Sequence, residues 1–216
     1  MKPRLRIYFT DFWTNFNPVD NLIYQLLSKK YTLELDPVKP DILFYSLFGT
    51  KFHRYNCKRV CFIGENVRPD MEECDYAFCF DHSDHPRIFR LPLYALFTDH
   101  GTVYDLLQKR DPADIMQEKT KFCNFIYSNP GQDRRNNFFK KLSKYKKVDS
   151  GGRFMRNIDY PIIDKIDFIR DYKFTIAFEN SSYPGYTTEK IFEPMLVDSL
   201  PVYWGNPVVD KDFNQA

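Results

Sequence analysis

The chain has no long apolar run. No stretch free of Asp, Glu, Lys and Arg is longer than that over residues 199–209, which is short of the roughly 18–20 apolar residues that a membrane-spanning helix requires. A dominant charge is missing too. The 31 Lys+Arg and 29 Asp+Glu leave a formal net charge of +2, and so no global attraction to nucleic acid or acidic lipid. Repeats and low-complexity tracts are absent. A composition with 43% hydrophobic and 18% aromatic residues excludes a disordered, collagenous or coiled-coil chain. The five cysteines, Cys57, Cys61, Cys74, Cys79 and Cys123, form no Cys-x-x-Cys pair. Such an odd, scattered set suits a reducing compartment and reads as small buried apolar residues rather than a disulfide framework. At the N-terminus, Met1-Lys2-Pro3-Arg4 runs straight into the alternating Leu5-Arg6-Ile7-Tyr8-Phe9. That is a strand pattern rather than the apolar centre of a signal peptide, so a cytoplasmic protein is expected.

What is present is an alternation of strand-like and helix-like segments, over 216 residues that can bury roughly 70% of their unfolded surface. Strands are expected over residues 5–9, 31–35, 42–48, 60–63 and 76–80, with helices over 22–29 and 102–109. The polar stretch from Asp111-Pro112-Ala113-Asp114 to Lys119 reads as a linker, which divides the chain into domains of residues 1–118 and 119–216. Beyond it, strands are expected over 122–127, near Lys147, and over 174–178 and 201–204, with helices over 133–145, 162–172 and 188–198. Strands separated by helices imply right-handed crossovers and largely parallel sheets. The fold class is therefore α/β, with ligands expected at the carboxyl ends of the strands.

One segment is built like a ligand site. A buried strand over 174–178 delivers Glu179 and Asn180 at its end, Pro184-Gly185 make a loop, and a helix opens at Thr187 or Thr188. Two readings fit. The free N–H groups of the first turn and the dipole suit a phosphate, with Lys190 as an added point charge and Glu189 as an acceptor for sugar hydroxyls. Equally, this is an ordinary helix capped by Thr187 or Thr188, with Glu189 favourable to the dipole. Pro194 is expected to bend it in either case.

Other constellations have plain structural explanations. The basic run from Arg134 to Lys147 carries Phe138, Leu142 and Tyr145 at core spacing, so its lysines read as a solvated face and not as a nucleic-acid site. Asp81-His82-Ser83-Asp84-His85 reads as a polar turn, and Asp210-Lys211-Asp212 as a helix start, so no metal site is expected. In the first strand-to-helix loop, Thr10-Asp11-Phe12-Trp13, Trp13 is the candidate to stack on a ligand ring, against the default of core packing.

The runs Ala177-Phe178-Glu179-Asn180, Tyr186-Thr187-Thr188-Glu189-Lys190-Ile191 and Pro201-Val202-Tyr203-Trp204-Gly205-Asn206-Pro207 together resemble the donor-binding signature of the α-1,3-fucosyltransferases, glycosyltransferase family 10, most closely its bacterial members. Phe62-Ile63-Gly64-Glu65-Asn66, Ser128-Asn129-Pro130, Arg135-Asn136, Gly151-Gly152 and Arg156-Asn157 extend the resemblance over nearly the whole chain. The resemblance implies a GT-B-like fold, with two Rossmann-like domains and a cleft between them. Residues 1–118 would present the acceptor and residues 119–216 would bind GDP-β-L-fucose. Complete members continue past the Trp-Gly-Asn-Pro segment, so the second domain is expected to be incomplete here.

The reaction so implied is inverting transfer of L-fucose to the 3-hydroxyl of N-acetylglucosamine or glucose in a glycan such as N-acetyllactosamine. Glu65 would be the general base, Arg135 and Lys190 the cations on the diphosphate, and Tyr186 and Glu189 donor contacts beside Glu179 and Asn180. No cofactor beyond the donor is implied, and membrane association would run through segments outside this chain, at the inner face. The competing reading is a non-catalytic nucleotide-sugar or glycan-binding module, or an inactive fragment.

Overall fold

Leu5, Ile7 and Phe9 alternate with polar or half-exposed neighbours, and in the computed structural model, which describes residues 2–96, 105–108 and 110–214, they line one face of strand β1 (Arg4–Thr10). Helix α1 (Leu22–Ser28) begins where Asn21 Oδ1 accepts from Tyr24 N at 2.9 Å. It returns the chain to β2 (Thr32–Leu35), and β3 (Ile42–Tyr45) pairs on the other side of β1. Then come β4 (Lys58–Phe62), β5 (Tyr76–Cys79), β6 (Ile88–Arg90) and the short α2 (Leu93–Leu96). The sheet order is β2-β1-β3-β4-β5-β6, every pair parallel. A parallel sheet must be covered on both faces. Ile7, Phe9, Phe44 and Val60 pack with Ile23 on one face, and Leu43, Tyr45, Cys61, Ala77 and Cys79 with Phe52 on the other. The cysteines are core residues as expected: Cys61, Cys74, Cys79 and Cys123 are buried, and burial pushes the Cys61 and Cys123 thiols up to about 12. That keeps them protonated and inert.

The second sheet follows α3 (Pro112–Glu118) and comprises β7 (Lys121–Phe125), β8 (Asp149–Ser150), β9 (Tyr172–Phe178) and β10 (Leu200–Trp204), with α4 (Asp133–Tyr145), α5 (Lys165–Arg170) and α6 (Glu189–Leu196) between them. Its order is β10-β9-β7-β8, again all parallel. From β7 the chain moves outward to β8, and from β9 it moves outward the other way to β10. The gap between the carboxyl ends of β7 and β9 is therefore a topological switch point, the place where open α/β sheets bind ligands.

Several expectations are corrected. The polar stretch at 111–119 is not a linker but α3, with Pro112 in its first turn and Asp111 Oδ1 accepting from Ala113 N at 2.8 Å. Arg110 pairs with both Glu118 and Asp198, and the buried Lys119 ammonium donates to the carbonyls of Arg170 and Val197. These contacts tie α3 to the second unit. The chain accordingly divides into Met1–Leu96 and Phe97–Ala216, earlier than the expected boundary at residue 118. Of the helix expected over 102–109, a 3-10 turn at Asp105–Leu107 is described, and residues 102–104 and 109 lie outside the described residues. Strand β6 was not foreseen, and α5 is shorter than residues 162–172: Asp164 caps it, and Tyr172 already opens β9.

Candidate functional site

Strand β9 is buried along most of its length and ends by delivering Glu179 and Asn180, as the sequence suggests. Glu179 has no exposed surface. Its Oε1 accepts from Thr188 N and its Oε2 from Thr188 Oγ1, both at 2.7 Å. Thr188 in turn caps α6, its Oγ1 accepting from Lys190 N at 3.4 Å. The turn is thus capped by Thr188, as the second reading expects. The Glu179 side chain reaches the start of α6, where a carboxylate complements the dipole. Gly205 makes room for it, because a Cβ there would lie 2.3 Å from Glu179 Cγ and 2.8 Å from Tyr203 Oη.

Lys190 Nζ lies 3.2 Å from Glu189 Oε1, 3.5 Å from Glu179 Oε2 and 2.9 Å from Thr188 Oγ1. Burial disfavours every charge in this group, and the outcome differs by residue. For Glu179 burial wins and its carboxyl is pushed above the usual range. For Glu189 the burial penalty is outweighed by Lys190 and Lys165, so its carboxyl falls below that range. Lys190 pays the same penalty, but Glu189 and Glu179 together hold its ammonium above its ordinary value. The ammonium is charged and already shared between two carboxylates.

Asn206 organises the approach to α6. Its Oδ1 accepts from Gly185 N at 2.8 Å and Val208 N at 3.0 Å, and its Nδ2 donates to Thr187 Oγ1 at 3.0 Å. Gly185 has φ 86°, a left-handed conformation that favours glycine. Tyr186, between Gly185 and Thr187, is 2% exposed.

Across the switch point stands Arg135, in the first turn of α4. Its side chain is wholly buried. Nη1 donates to Asn180 Oδ1 at 3.2 Å and Nη2 to Asn129 O at 2.5 Å, while the guanidinium carbon sits 3.9 Å from the centre of the Tyr127 ring. Nε finds no acceptor. Burial lowers its pKa, yet a guanidinium remains charged in proteins. Among the described residues no carboxylate is paired with it, so the cluster holds a buried cation met only by neutral acceptors. Gln132 closes the arrangement: its Oε1 accepts from Arg134 N at 3.1 Å, and its Nε2 donates to Asn180 O at 2.8 Å.

The structure therefore gathers Arg135, Glu179, Asn180, Glu189 and Lys190 around the end of β9, with Tyr186 in the adjoining loop. It adds Tyr127, Asn129, Gln132 and Asn206, which the sequence reading did not single out as site residues. Asn129 and Asn206 stand inside quoted motifs. Tyr127 looked like the last apolar residue of a strand.

In the first unit, Glu65 is exposed just beyond β4, after Gly64. Trp13 is half-buried and packs edge-on against Phe12, Phe16, Phe48 and Phe62, with ring centroids 5.2–6.5 Å apart. Its observed contacts are those of core packing. On α4, Phe138 and Leu142 do face the core, but Tyr145 is 83% exposed and the buried Phe139 takes the place expected for it. Asp81 pairs with Arg68 at 2.9 Å, and Val209–Lys211 form a 3-10 turn. A cavity of about 1170 Å³ lies in the second unit beside β10 and the end of α6, where Lys119, Asp198, Leu200 and Asn206 help to line it.

Two family models match this chain. Residues 7–97 fit the alpha-(1,3)-fucosyltransferase FucT N-terminal domain, and residues 116–214 fit the C-terminal part of glycosyltransferase family 10 (fucosyltransferase). The chain is 31% identical to the alpha-(1,3)-fucosyltransferase FucT of Helicobacter pylori over 98% of its own length, and spans 52% of that enzyme. A crystal structure of an alpha1,3-fucosyltransferase superposes with a TM-score of 0.83 at 28% identity, covering 99% of this chain and 72% of the other. A structure of alpha1,3-fucosyltransferase with GDP-fucose superposes with a TM-score of 0.78 at 29% identity, covering 100% of this chain and 72% of the other. The expected GT-B-like α/β class is thereby shown, and with both halves matched in order the chain belongs to the family 10 fucosyltransferases.

Proposed function

We propose that this protein transfers L-fucose, with inversion, from GDP-β-L-fucose to the 3-hydroxyl of an N-acetylglucosamine or glucose unit in a glycan such as N-acetyllactosamine, for surface polysaccharide. The observation that carries the donor half of this reading is Arg135: a buried guanidinium with no carboxylate partner among the described residues, at the carboxyl ends of the switch-point strands. A buried cation without a counter-ion is costly, and a diphosphate repays that cost. Asn180 Oδ1, on an exposed residue, holds Nη1 at 3.2 Å and stands where a phosphate oxygen would replace it. Lys190 is the second cation, and Glu189, held ionised, is the acceptor for donor hydroxyls.

In the proposed reaction Glu65 removes the proton of the acceptor hydroxyl, whose oxygen forms a bond to the anomeric carbon. The bond from that carbon to the diphosphate breaks on the opposite face through an oxocarbenium-like state. Arg135 and Lys190 then meet the charge that grows on departing GDP. The protein is proposed to work in the cytoplasm, at the inner face of the membrane.

Titration calorimetry tests the donor. GDP should bind more tightly than UDP, and Arg135→Ala should weaken GDP by roughly tenfold or more. UDP binding more tightly, or an unchanged GDP affinity in Arg135→Ala, would overturn the assignment. For the base, Glu65→Gln should lower turnover by roughly 10² to 10⁴ while donor affinity stays within a few-fold. Turnover that survives the change would point to another base, and a binding module would show no turnover to lose.

A further inference from the structure

We infer that Tyr127 is a positioning residue for the diphosphate, holding the Arg135 guanidinium on its ring face while its hydroxyl sets the opening between β7 and β9. This rests on the donor reading above.

The β7–β9 ladder includes Lys121↔Tyr172, Cys123↔Phe174 and Asn124↔Thr175. Side chains add to it toward the carboxyl ends. Asn124 Nδ2 donates to Thr175 Oγ1 at 2.8 Å and Phe174 O at 3.2 Å. Further along, the Tyr127 hydroxyl lies 2.9 Å from Ile176 O and 3.0 Å from Phe178 O, and accepts from Phe178 N at 2.8 Å. One phenol oxygen thus reaches three backbone groups of β9, in the residues directly before Glu179 and Asn180.

The rest of Tyr127 is fixed as firmly. Its carbonyl accepts from Phe154 N at 3.0 Å, and its ring packs on Phe125 at 4.7 Å between centroids. The backbone of Gly152 lies so close that a Cβ there would be 2.1 Å from Tyr127 O. A ring held at its backbone, edge and hydroxyl cannot tilt, and the guanidinium rests 3.9 Å from its centre. Stacking on an aromatic face attracts a cation without neutralising it. A carboxylate in that place would compete with the phosphate, whereas the ring leaves the full charge of Arg135 for the ligand. Tyr127 therefore acts through Arg135 and touches no reacting atom.

The test weakens the ring face while keeping its shape. GDP and guanosine would be titrated against the 216-residue chain carrying Tyr, Phe or 3,4,5-trifluorophenylalanine at position 127, with thermal unfolding recorded for each. Fluorination should weaken GDP by roughly 3- to 30-fold relative to Tyr127→Phe, leave guanosine within about twofold, and have no effect in an Arg135→Ala background. Equal GDP affinities for the Phe and fluorinated proteins, or guanosine falling in parallel with GDP, would overturn the inference and leave a structural tyrosine. In either of those outcomes wild-type GDP binding still stands, so the donor reading survives. A wild-type chain that binds no GDP overturns both.

Discussion

Residue by residue, the candidate site depends on groups whose neighbours lie far away in the chain. Gly152 illustrates it. A Cβ there would sit 2.1 Å from Tyr127 O and 2.4 Å from Tyr127 N, and backbone atoms cannot swing aside as a side chain can. Gly152→Ala should therefore cost about 1–3 kcal/mol, read as a lower urea midpoint with an unchanged slope. Gly131→Ala is the control: its Cβ would meet only the side-chain amide of exposed Asn129, at 3.1 Å from Oδ1, and the midpoint should move far less. The pair Gly151-Gly152 stands out in the sequence, but its reason, a close approach to Tyr127, does not. Glu179 teaches the converse. It was readable as a polar residue at a strand end, whereas its burial against Thr188 was not, since that depends on how the following loop folds back.

Elements with an apolar stripe were the readable ones. Helix α4 matches residues 133–145 because Phe138, Phe139 and Leu142 mark one side of it. Helix α3 has no buried residue, so no periodicity betrays it, and only Asp111-Pro112 hinted at a helix start. Helix α6 combines both situations. Its apolar Ile191 and Phe192 announce it, and Pro194 lies inside it without ending it. Its start depends on Thr188, which caps Lys190 N and also satisfies Glu179 Oε2. Thr188→Ala should destabilise the protein by about 1–3 kcal/mol, the loss of a cap together with a buried carboxylate oxygen left short of a partner. Thr188→Ser retains the hydroxyl and should recover most of that loss in the same unfolding experiment.

For the whole molecule, the ionisable groups set the acid limit. Asp41 is held low by the Arg6 side chain, Asp75 by Lys58, Asp36 by the Lys39 and Val38 amides, and Glu189 by Lys190 and Lys165 against its burial. A carboxyl with a lower pKa when folded contributes stability above its unfolded value, and loses it as pH falls through the folded value. Glu179 and Asp81, raised by burial, oppose this, because their penalty lifts on protonation. With four lowered groups against two raised, the urea midpoint should fall between about pH 5 and pH 2. Asp41→Asn and Asp75→Asn should flatten that limb, and a midpoint that rose on acidification would contradict the balance. The sequence alone determined the α/β class, the order of most strands and helices, and the motifs that place Glu179, Asn180, Glu189 and Lys190 at one strand end, because burial leaves a local period of two or 3.6 in the residues themselves. Tertiary structure alone decided that α3 joins the second unit, that Glu179 packs against Thr188 at the start of α6, and that Tyr127, Asn180 and the buried Arg135 meet. The last of these depends on β9 lying beside β7, with α4, β8 and α5 intervening in the chain, and no local pattern encodes which strands become neighbours.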